Sequence, residues 1–358
     1  MKTRIVLLVL LSPALLRACS YCDPGALKLQ TLRQEARSAA FVVIGTLSNP
    51  RLVGDKGATD LVIDHVVKDA PARGKQTTFV LPRWSPVDPK NPPRMLVFFD
   101  VYEGKFDPFR GLPLRGTGAA DYLRGALALD DRDPTAALLY YFRHLDSTDP
   151  DVAADAFLEF AKASDREVGI VGPKLDPAKL RKLLGDSKTP PDRLGLFAFL
   201  LGACGTKADA DVLTALIDRR DDRASAALSG VLGGLIELRP ADGWRTALAI
   251  LDDPKRGYND KLAVLGALRF FQAYQPTAHK KSILTGMAAV VAKGDMADMA
   301  VEDLRRWRWW DLTRHVVAQY DKPTHAAPLV RNAILRYAIT CPDADAVAFV
   351  KAARAADP

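Results

Sequence analysis

From about Asp131 to the C-terminus, apolar residues recur at three- and four-residue spacing, in segments separated by short turns rich in Asp and Pro. This spacing places the apolar residues on one face of amphipathic helices. The helices are predicted to pair, and the second helices begin near these residues: Asp151, Asp192, Arg223, Asp260, Asp298 and Leu329. These starts are roughly 30 to 41 residues apart, a period typical of helical solenoids.

The hydrophobic pattern is different before this region. A predicted helix over residues 25–40 is followed by β-branched or alternating segments at 41–47, 59–68, 76–81 and 95–101. Gly, Pro, Asp or Asn bounds each segment, as in the strands of a small β-domain. Residues 82–93 contain several prolines, which donate no ladder hydrogen bonds, and are therefore predicted to form a loop. Residues 106–120 are rich in Gly, Pro and Arg, and are predicted to be a linker or cap.

The helical region resembles the HEAT-repeat family. In that family the second helices open with the pattern D-x-x-V-R-x-A-A-x-x-L, and residues 148–156 (TDPDVAADA) and 327–333 (APLVRNA) are similar to it. Several of the predicted pairs lack the Arg of this pattern. The resemblance covers about residues 120–356 and implies a HEAT-like α-solenoid of about six helical hairpins over residues 121–358, mainly α overall.

Residues 19–105 resemble the netrin/TIMP-like module of secreted proteins. The resemblance is carried by AFVVIGTL at 40–47, a strand ending VVKD at 66–69, TTFV at 77–80 and RMLVFF at 94–99. It implies a small OB-type β-barrel. The inhibitor branch begins with Cys-x-Cys, and its terminal amine and carbonyl bind the zinc of a protease. This chain has Cys19-x-x-Cys22 instead and lacks the downstream cysteines of the family.

The first eighteen residues predict an export signal. Lys2 and Arg4 form a basic start, and residues 5–16 are apolar but too short to span a membrane. Residues 16–19 (Leu-Arg-Ala-Cys) are similar to a bacterial lipobox, from which Arg17 departs. Two outcomes stay open: plain secretion, or a lipid on Cys19 that anchors the protein in the cell envelope.

Cys19 and Cys22 have three alternative roles: a local disulfide in an oxidising compartment, a lipid on Cys19, or dithiol chemistry. Cys22 is followed by Asp23 rather than His, which argues against haem attachment. Cys204 and Cys341 end second helices about four hairpins apart. A disulfide requires Cα atoms within about 7 Å, so these two cysteines are predicted to be unpaired and buried.

Composition adds few constraints on function. The 358 residues carry a net charge of +7, of which Lys2, Arg4 and Arg17 belong to the predicted export signal. Because the arginines alternate with aspartates, as on a solvated helical surface, no nucleic-acid partner is expected. The sequence has no recognisable catalytic motif, zinc-protease motif or calcium loop, so no catalytic residue, metal or cofactor is predicted.

The most unusual local segment combines three tryptophans with three arginines: Arg305, Arg306, Trp307, Arg308, Trp309 and Trp310. Trp and Arg are enriched where proteins bind partners, so this segment is the candidate partner-binding site. The alternative is that the tryptophans pack between helices, since aromatic residues at helical spacing usually belong to a core. At least one of the three is then still expected to be partly exposed.

These observations together predict an exported, non-catalytic scaffold at the cell envelope. A protein partner would dock on the concave face built by the second helices, and an anionic lipid or envelope surface is a further expected contact. Two alternatives stay open: an inhibitor or metal-capping module acting through Cys19, and a HEAT-like enzyme without a recognisable motif.

Overall fold

The computed structural model describes residues 29–356. It is mainly helical, with a small antiparallel five-stranded sheet towards its N-terminal end. The strands are β1 (Phe41–Val53), β2 (Lys56–Lys68), β3 (Thr78–Leu81), β4 (Arg94–Tyr102) and β5 (Lys105–Pro113). The helices are α1 (Leu32–Ser38), α2 (Ala119–Leu127), α3 (Pro134–His144), α4 (Pro150–Lys162), α5 (Asp165–Val171), α6 (Pro177–Gly185), α7 (Pro191–Cys204), α8 (Asp209–Asp218), α9 (Asp222–Leu238), α10 (Pro240–Asp252), α11 (Tyr258–Tyr274), α12 (Pro276–Val291), α13 (Ala297–Trp307), α14 (Thr313–Val317), α15 (Pro328–Thr340) and α16 (Ala344–Ala356).

The strand order in the sheet is β3-β2-β1-β4-β5, and every neighbouring pair is antiparallel. The central strand β1 pairs with β2 through three register shifts and with β4 without any. Such bulges bend a strand and increase its local twist, so they favour a curved sheet.

Both faces of the central strands are buried. Alternate residues on one face form a core within the sheet: Phe41, Val43, Val97 and Phe99. The residues between them join the core of the helices: Val42, Ile44, Leu96 and Phe98. This double burial explains why the two segments read as continuous apolar runs rather than as alternating ones.

Phe79 of β3 and Phe106 of β5 lie on the two edge strands of the sheet, yet their rings are only 5.4 Å apart. Strands lie about 4.8 Å apart, so the edges of a flat five-stranded sheet would be separated by about four such spacings. The sheet therefore curls until its two edges share one aromatic core.

The sheet is larger than predicted. Residues 106–113, expected to belong to a linker, form most of β5, which pairs with β4 from Met95↔Pro113 to Tyr102↔Lys105. That part of the linker prediction is wrong. Pro108 and Pro113 are tolerated because β5 is an edge strand and one side of its backbone needs no partner within the sheet. The predicted helix at 25–40 is also shorter within the described residues, since Thr31 caps α1 through a capping box with Gln34.

The helices after β5 pack as predicted pairs of neighbours: α6 with α7, α8 with α9, α10 with α11 and α12 with α13. The second helices also pack against one another, α7 on α9, α9 on α11 and α13 on α15. All six second-helix starts predicted from the sequence lie within two residues of an observed start. The periodicity and the turn residues together were sufficient to locate them.

Acidic residues at the helix starts take two kinds of position. Asp192, Asp222 and Asp260 each lie in the first turn of their helix rather than at the N-cap. The N-cap of α9 is instead Asp221, whose extended backbone lets its side chain accept a 2.7 Å hydrogen bond from the Ala224 N–H. Asp149 caps α4 in the same way.

The backbones of α7 and α9 approach unusually closely. A Cβ atom added to Gly230 would lie 1.8 Å from the carbonyl oxygen of Gly195, and one added to Gly202 would lie 2.3 Å from the Cα of Gly234. No side chain larger than hydrogen fits at these points, so the glycines set the distance between the two helices. Phe199 of α7 and Phe270 of α11 are in direct contact, with ring centroids 4.5 Å apart.

Helix α5 was not predicted. It packs against α3 and also against α11. The Tyr274 hydroxyl of α11 donates a 3.3 Å hydrogen bond to the carbonyl oxygen of Gly169 in α5, across 105 residues of sequence. A Cβ atom at Gly169 would overlap the Tyr274 ring at 2.2 Å, so only glycine allows this contact.

Helix α7 is buried on every side over residues 194–202.

Candidate functional site

The Arg/Trp segment lies at the end of α13. The helix ends at Trp307, and Arg308 adopts a left-handed conformation with φ of 57°. The rings of Trp307 and Trp309 meet edge to face at 5.5 Å, and Trp310 meets Tyr337 of α15 at 5.0 Å. All three tryptophans are partly buried and pack against the main core. The tryptophans thus join α13 to α15, and each keeps some exposed surface, as expected.

Two of the three arginines of the segment, Arg305 and Arg306, are held by one carboxylate. Glu302, one turn earlier on α13, accepts hydrogen bonds of 2.9 and 2.6 Å from Arg305 and one of 3.2 Å from Arg306. Arg336 of α15 approaches it to 3.9 Å. Hydrogen bonds from Arg305 are the largest cause that lowers the pKa of Glu302 to about 2. Glu302 therefore stays ionised and fixes the arginines across the α13–α15 contact.

Exposed apolar residues adjoin these arginines on α15. Leu329 is 62% exposed and Ile339 is 63% exposed. Leu329, Arg336 and Ile339 occupy positions i, i+7 and i+10 of α15, and these positions lie on one face of a helix. We call Arg306, Leu329, Arg336 and Ile339 the α13–α15 surface. It combines two cations with two large aliphatic side chains on neighbouring second helices.

Lys280 of α12 completes the surroundings of Trp309. Its ammonium lies 5.6 Å from the Trp309 ring centroid, within the range of a cation–π contact. The same ammonium forms a 3.0 Å ion pair with Asp311. The Trp309 ring is therefore already in contact with a cation of the same chain.

The predicted cysteine site at Cys19 and Cys22 lies outside the described residues. Among the described residues, Cys204 and Cys341 are free, as predicted. Cys341 is buried, but Cys204 is only partly buried, so the expectation that both are buried holds for one of them. Burial raises the pKa of the Cys204 thiol to about 11.

A cleft between the sheet and the helices was not predicted. It has a volume of about 650 Å³ and lies between β4, β5, α1 and α4. Its walls are mainly apolar, and its charged lining residues include the buried acids Glu35 and Asp155 and the exposed Arg110. The Arg110 guanidinium lies 3.0 Å from the Glu35 carboxylate. These three residues come from α1, α4 and β5, so no local motif could have revealed the cleft.

Asp155 is one of two buried acids of this cleft, at 6% exposure. One of its oxygens accepts a 2.8 Å hydrogen bond from the Leu32 N–H at the start of α1, and the other accepts a 2.7 Å bond from the Tyr122 hydroxyl. Burial raises the pKa of Asp155 to about 7. Because protein donors engage both oxygens, the geometry indicates that Asp155 attaches α1 and α2 to α4.

Within residues 29–356, no group of three or more His, Cys, Asp and Glu side chains is placed to hold a metal ion. The described helices include none that is long and apolar enough to cross a membrane. No protein-family model matches the chain, and no curated protein matches it significantly.

Proposed function

We propose that this protein is an exported, non-catalytic scaffold at the cell envelope that binds a protein partner. In this proposal the helices form a HEAT-like α-solenoid of about six hairpins behind an OB/netrin-like barrel. The stacking of α7, α9 and α11, each paired with its preceding helix, supports the solenoid. The curled sheet, with its edges joined by Phe79 and Phe106, supports the barrel.

The middle of the helical region does not offer the docking face that was expected from the sequence. The second helices were expected to present an open concave face, but α7 is buried on every side over residues 194–202. Helix α5 and Tyr274 reach across this part of the array. Any docking surface on the second helices is therefore to be sought further along, on α13 and α15.

The observation that carries the proposal is the α13–α15 surface. It presents exposed Leu329 and Ile339 beside Arg306 and Arg336. Glu302 accepts a 3.2 Å hydrogen bond from Arg306 and lies 3.9 Å from Arg336. The bond to Arg306 lowers the conformational entropy that this side chain loses on binding. Arginine is among the residues enriched in binding hot spots, and Leu329 and Ile339 add exposed apolar area on the same surface. We infer that the partner presents an acidic patch next to an apolar one.

Site-specific photo-crosslinking in the source organism tests this surface. A photoreactive residue replaces Ile339, and the matched control replaces Val347, an exposed aliphatic residue of α16. We expect one discrete protein adduct from position 339 and none from position 347. Combining the probe with Arg306→Glu and Arg336→Glu should abolish the adduct. Crosslinking only to lipid, or equal crosslinking from both positions, would contradict the proposal; the lipid outcome would point to an envelope surface instead.

The export and anchoring part of the proposal rests on residues 1–22, and the intact mass of the native mature protein tests it. A chain beginning at Cys19 with added acyl groups would show a lipoprotein, and an unmodified oxidised chain would show a secreted one. Retention of residues 1–18 would contradict export. The inhibitor alternative requires a free Cys19 amine, so extension of the mature chain by one residue would abolish inhibition.

A further inference from the structure

The end of the β1–β2 hairpin projects beyond the rest of the sheet. Strand β1 pairs with β4 only over residues 41–46, and β2 pairs with β3 only over residues 59–62. Beyond these points, residues 51–53 and 56–58 pair with each other. They form a two-stranded ribbon that has no further strand of the described sheet on either side.

Large apolar side chains are exposed on this ribbon. Leu52 is 73% exposed and Val53 is 60% exposed, and Trp84, in the loop after β3, is 54% exposed. Leu52 pairs with Gly57, and the side chains of paired residues project from the same face. A Cβ atom added to Gly57 would lie 2.5 Å from the Cβ of Trp84. Trp84 therefore lies on the same face of the ribbon as Leu52.

One buried side chain fixes the backbone on both sides of Trp84. The Thr59 hydroxyl donates a 2.9 Å hydrogen bond to the carbonyl oxygen of Arg83 and accepts another of 2.9 Å from the Ser85 N–H. Thr59 itself is fully buried. The loop thus presents an exposed indole ring from a fixed backbone, which lowers the conformational entropy lost when this segment binds.

The charges around these side chains favour an anionic surface. Lys56 of the ribbon and Arg83 of the loop are exposed, and neither forms an ion pair within residues 29–356. Arg51, by contrast, pairs with Asp60 at 2.7 Å. The opposing charge is the exposed carboxylate of Asp55 in the turn of the hairpin. Two unpaired cations beside one carboxylate attract anionic headgroups.

A lipid surface suits this ribbon better than a protein groove does. Leu52 and Val53 are consecutive in a strand, so their side chains project from opposite faces. A protein partner would need a groove to cover both faces, whereas a fluid layer of headgroups surrounds an inserted ribbon without a matching shape. Tryptophan is enriched at the interface between membrane and water. Asp55 opposes deep insertion, because a carboxylate is costly in hydrocarbon.

We propose that the end of the β1–β2 hairpin, together with Trp84, inserts shallowly into the headgroup layer of an anionic lipid surface. Leu52, Val53 and Trp84 enter this layer, and Lys56 and Arg83 contact its phosphates. The scaffold proposal concerns a protein partner on the α13–α15 surface, so either proposal can fail without the other.

Quenching of tryptophan fluorescence by brominated lipid tests this contact. The full protein is mixed with vesicles made of equal parts of phosphatidylglycerol and phosphatidylcholine, the latter brominated in its acyl chains. We expect quenching that saturates as lipid is added and that is weaker with brominated phosphatidylcholine alone. Trp84→Phe should remove the quenching, because the other four tryptophans belong to the helical region: Trp244, Trp307, Trp309 and Trp310.

Substitutions in the ribbon separate insertion from other modes of binding. Leu52→Asp should raise the lipid concentration for half-maximal quenching by about tenfold or more, since it removes inserted apolar area. Tyr102→Asp is the matched control, because Tyr102 is 70% exposed on the β4–β5 hairpin at the opposite end of the sheet; it should leave quenching unchanged. Asp55→Asn should lower that concentration by about twofold to fivefold, since it removes a charge that anionic headgroups repel.

Three results would overturn the proposal. The first is the absence of quenching, or equal half-maximal concentrations for Leu52→Asp and the unchanged protein. The second is quenching that survives Trp84→Phe, which would assign the lipid contact to the Arg/Trp segment. The third is a dimer that forms without lipid and is lost in Leu52→Asp, as measured by analytical ultracentrifugation, which would assign the ribbon to a contact between copies. All variants share residues 1–28, so any lipid affinity of the predicted export signal is common to them.

Discussion

Phe79 and Phe106 join the two edges of the sheet, with ring centroids 5.4 Å apart. Phe41 lies between them, 5.4 Å from Phe79 and 4.8 Å from Phe106. The curl of the sheet thus depends on a shared aromatic core rather than on backbone pairing between β3 and β5, which are not neighbours in the strand order.

Phe79→Ala should therefore lower the free energy of unfolding by about 3–5 kcal/mol, because it leaves a cavity in this core. Val80→Ala, at an exposed position of the same strand, is the control and should change it by less than about 0.5 kcal/mol. Urea denaturation of both variants measures the difference. Equal midpoints would show that the edges are joined in some other way.

Gly230→Ala should be far more damaging than its size suggests. The added methyl would lie 1.8 Å from the Gly195 carbonyl oxygen, and neither backbone can move without separating α7 from α9. We expect a loss of about 3 kcal/mol or more, or failure to fold. Gly185→Ala, with no atom within 4 Å of the new methyl, should be neutral or slightly stabilising. Thermal unfolding compares the two, and similar melting temperatures would contradict the close contact.

The pH dependence of stability should reveal Asp155. Its folded-state pKa of about 7 lies above the ordinary value of 3.8. The folded state therefore binds more protons between about pH 4 and pH 7, and the free energy of unfolding falls as pH rises through this window. Asp155→Asn should remove this contribution, on the order of a few kcal/mol, while keeping the shape of the side chain. Asp192→Asn, at an exposed position of the same cleft, should leave it intact. Denaturation of wild type and Asp155→Asn at pH 5 and pH 8 measures this pH dependence. An identical dependence in the two proteins would contradict the raised pKa of Asp155.

Glu302 should show the opposite pH dependence. Its pKa of about 2 lies below the ordinary value of 4.5, so its ion pairs stabilise the folded state above pH 4.5 and are lost as pH falls towards 2. Glu302→Gln should cost about 0.5–1 kcal/mol at pH 7, since the pairs are partly solvated, and the difference should disappear near pH 2. A deficit that persists at low pH would indicate lost packing rather than lost charge.

Alkylation should distinguish the described cysteines from reactive thiols. The thiolate is the reactive form, and the pKa of Cys204 near 11 leaves almost none at pH 7. Cys341 is buried, with its sulfur 3.4 Å from the Thr313 hydroxyl oxygen. We expect iodoacetamide to modify neither residue in the native protein and both after denaturation, as read by peptide mass mapping. Rapid native modification of Cys204 would contradict its burial.

The helical half of the fold could be predicted because its signals are local. Helix starts are marked by prolines and capping aspartates within a few residues of the first apolar position, as at Asp149 and Asp221. By contrast, β5 was missed because Pro108, Gly111 and Pro113 disrupt its alternation. An edge strand tolerates such residues, so composition alone suggested a linker.

The sites were harder to predict than the fold. The Arg/Trp segment is continuous in sequence, and Glu302 lies three and four residues before Arg305 and Arg306 on the same helix, so these pairs have a local signal. The approach of Arg336 to Glu302 depends instead on packing between α13 and α15. The charged groups of the cleft combine residues from α1, α4 and β5. A single sequence carries no signal for such long-range combinations. Helix α5 was missed although Ser164 and Glu167 form a capping box at its start; its contact with Tyr274, 105 residues away, has no signal in the sequence.

The hydrogen bond from Tyr274 to Gly169 has a consequence for how this region unfolds. In a repeat array with contacts only between neighbours, single repeats can be removed or can fray one at a time. Here α5 contacts α11, which also packs against α9, and α9 packs against α7, so contacts in this segment extend beyond successive hairpins. The segment from α5 to α11 should therefore melt as one cooperative unit, and deletion of the α8–α9 hairpin should disrupt its neighbours instead of shortening the array.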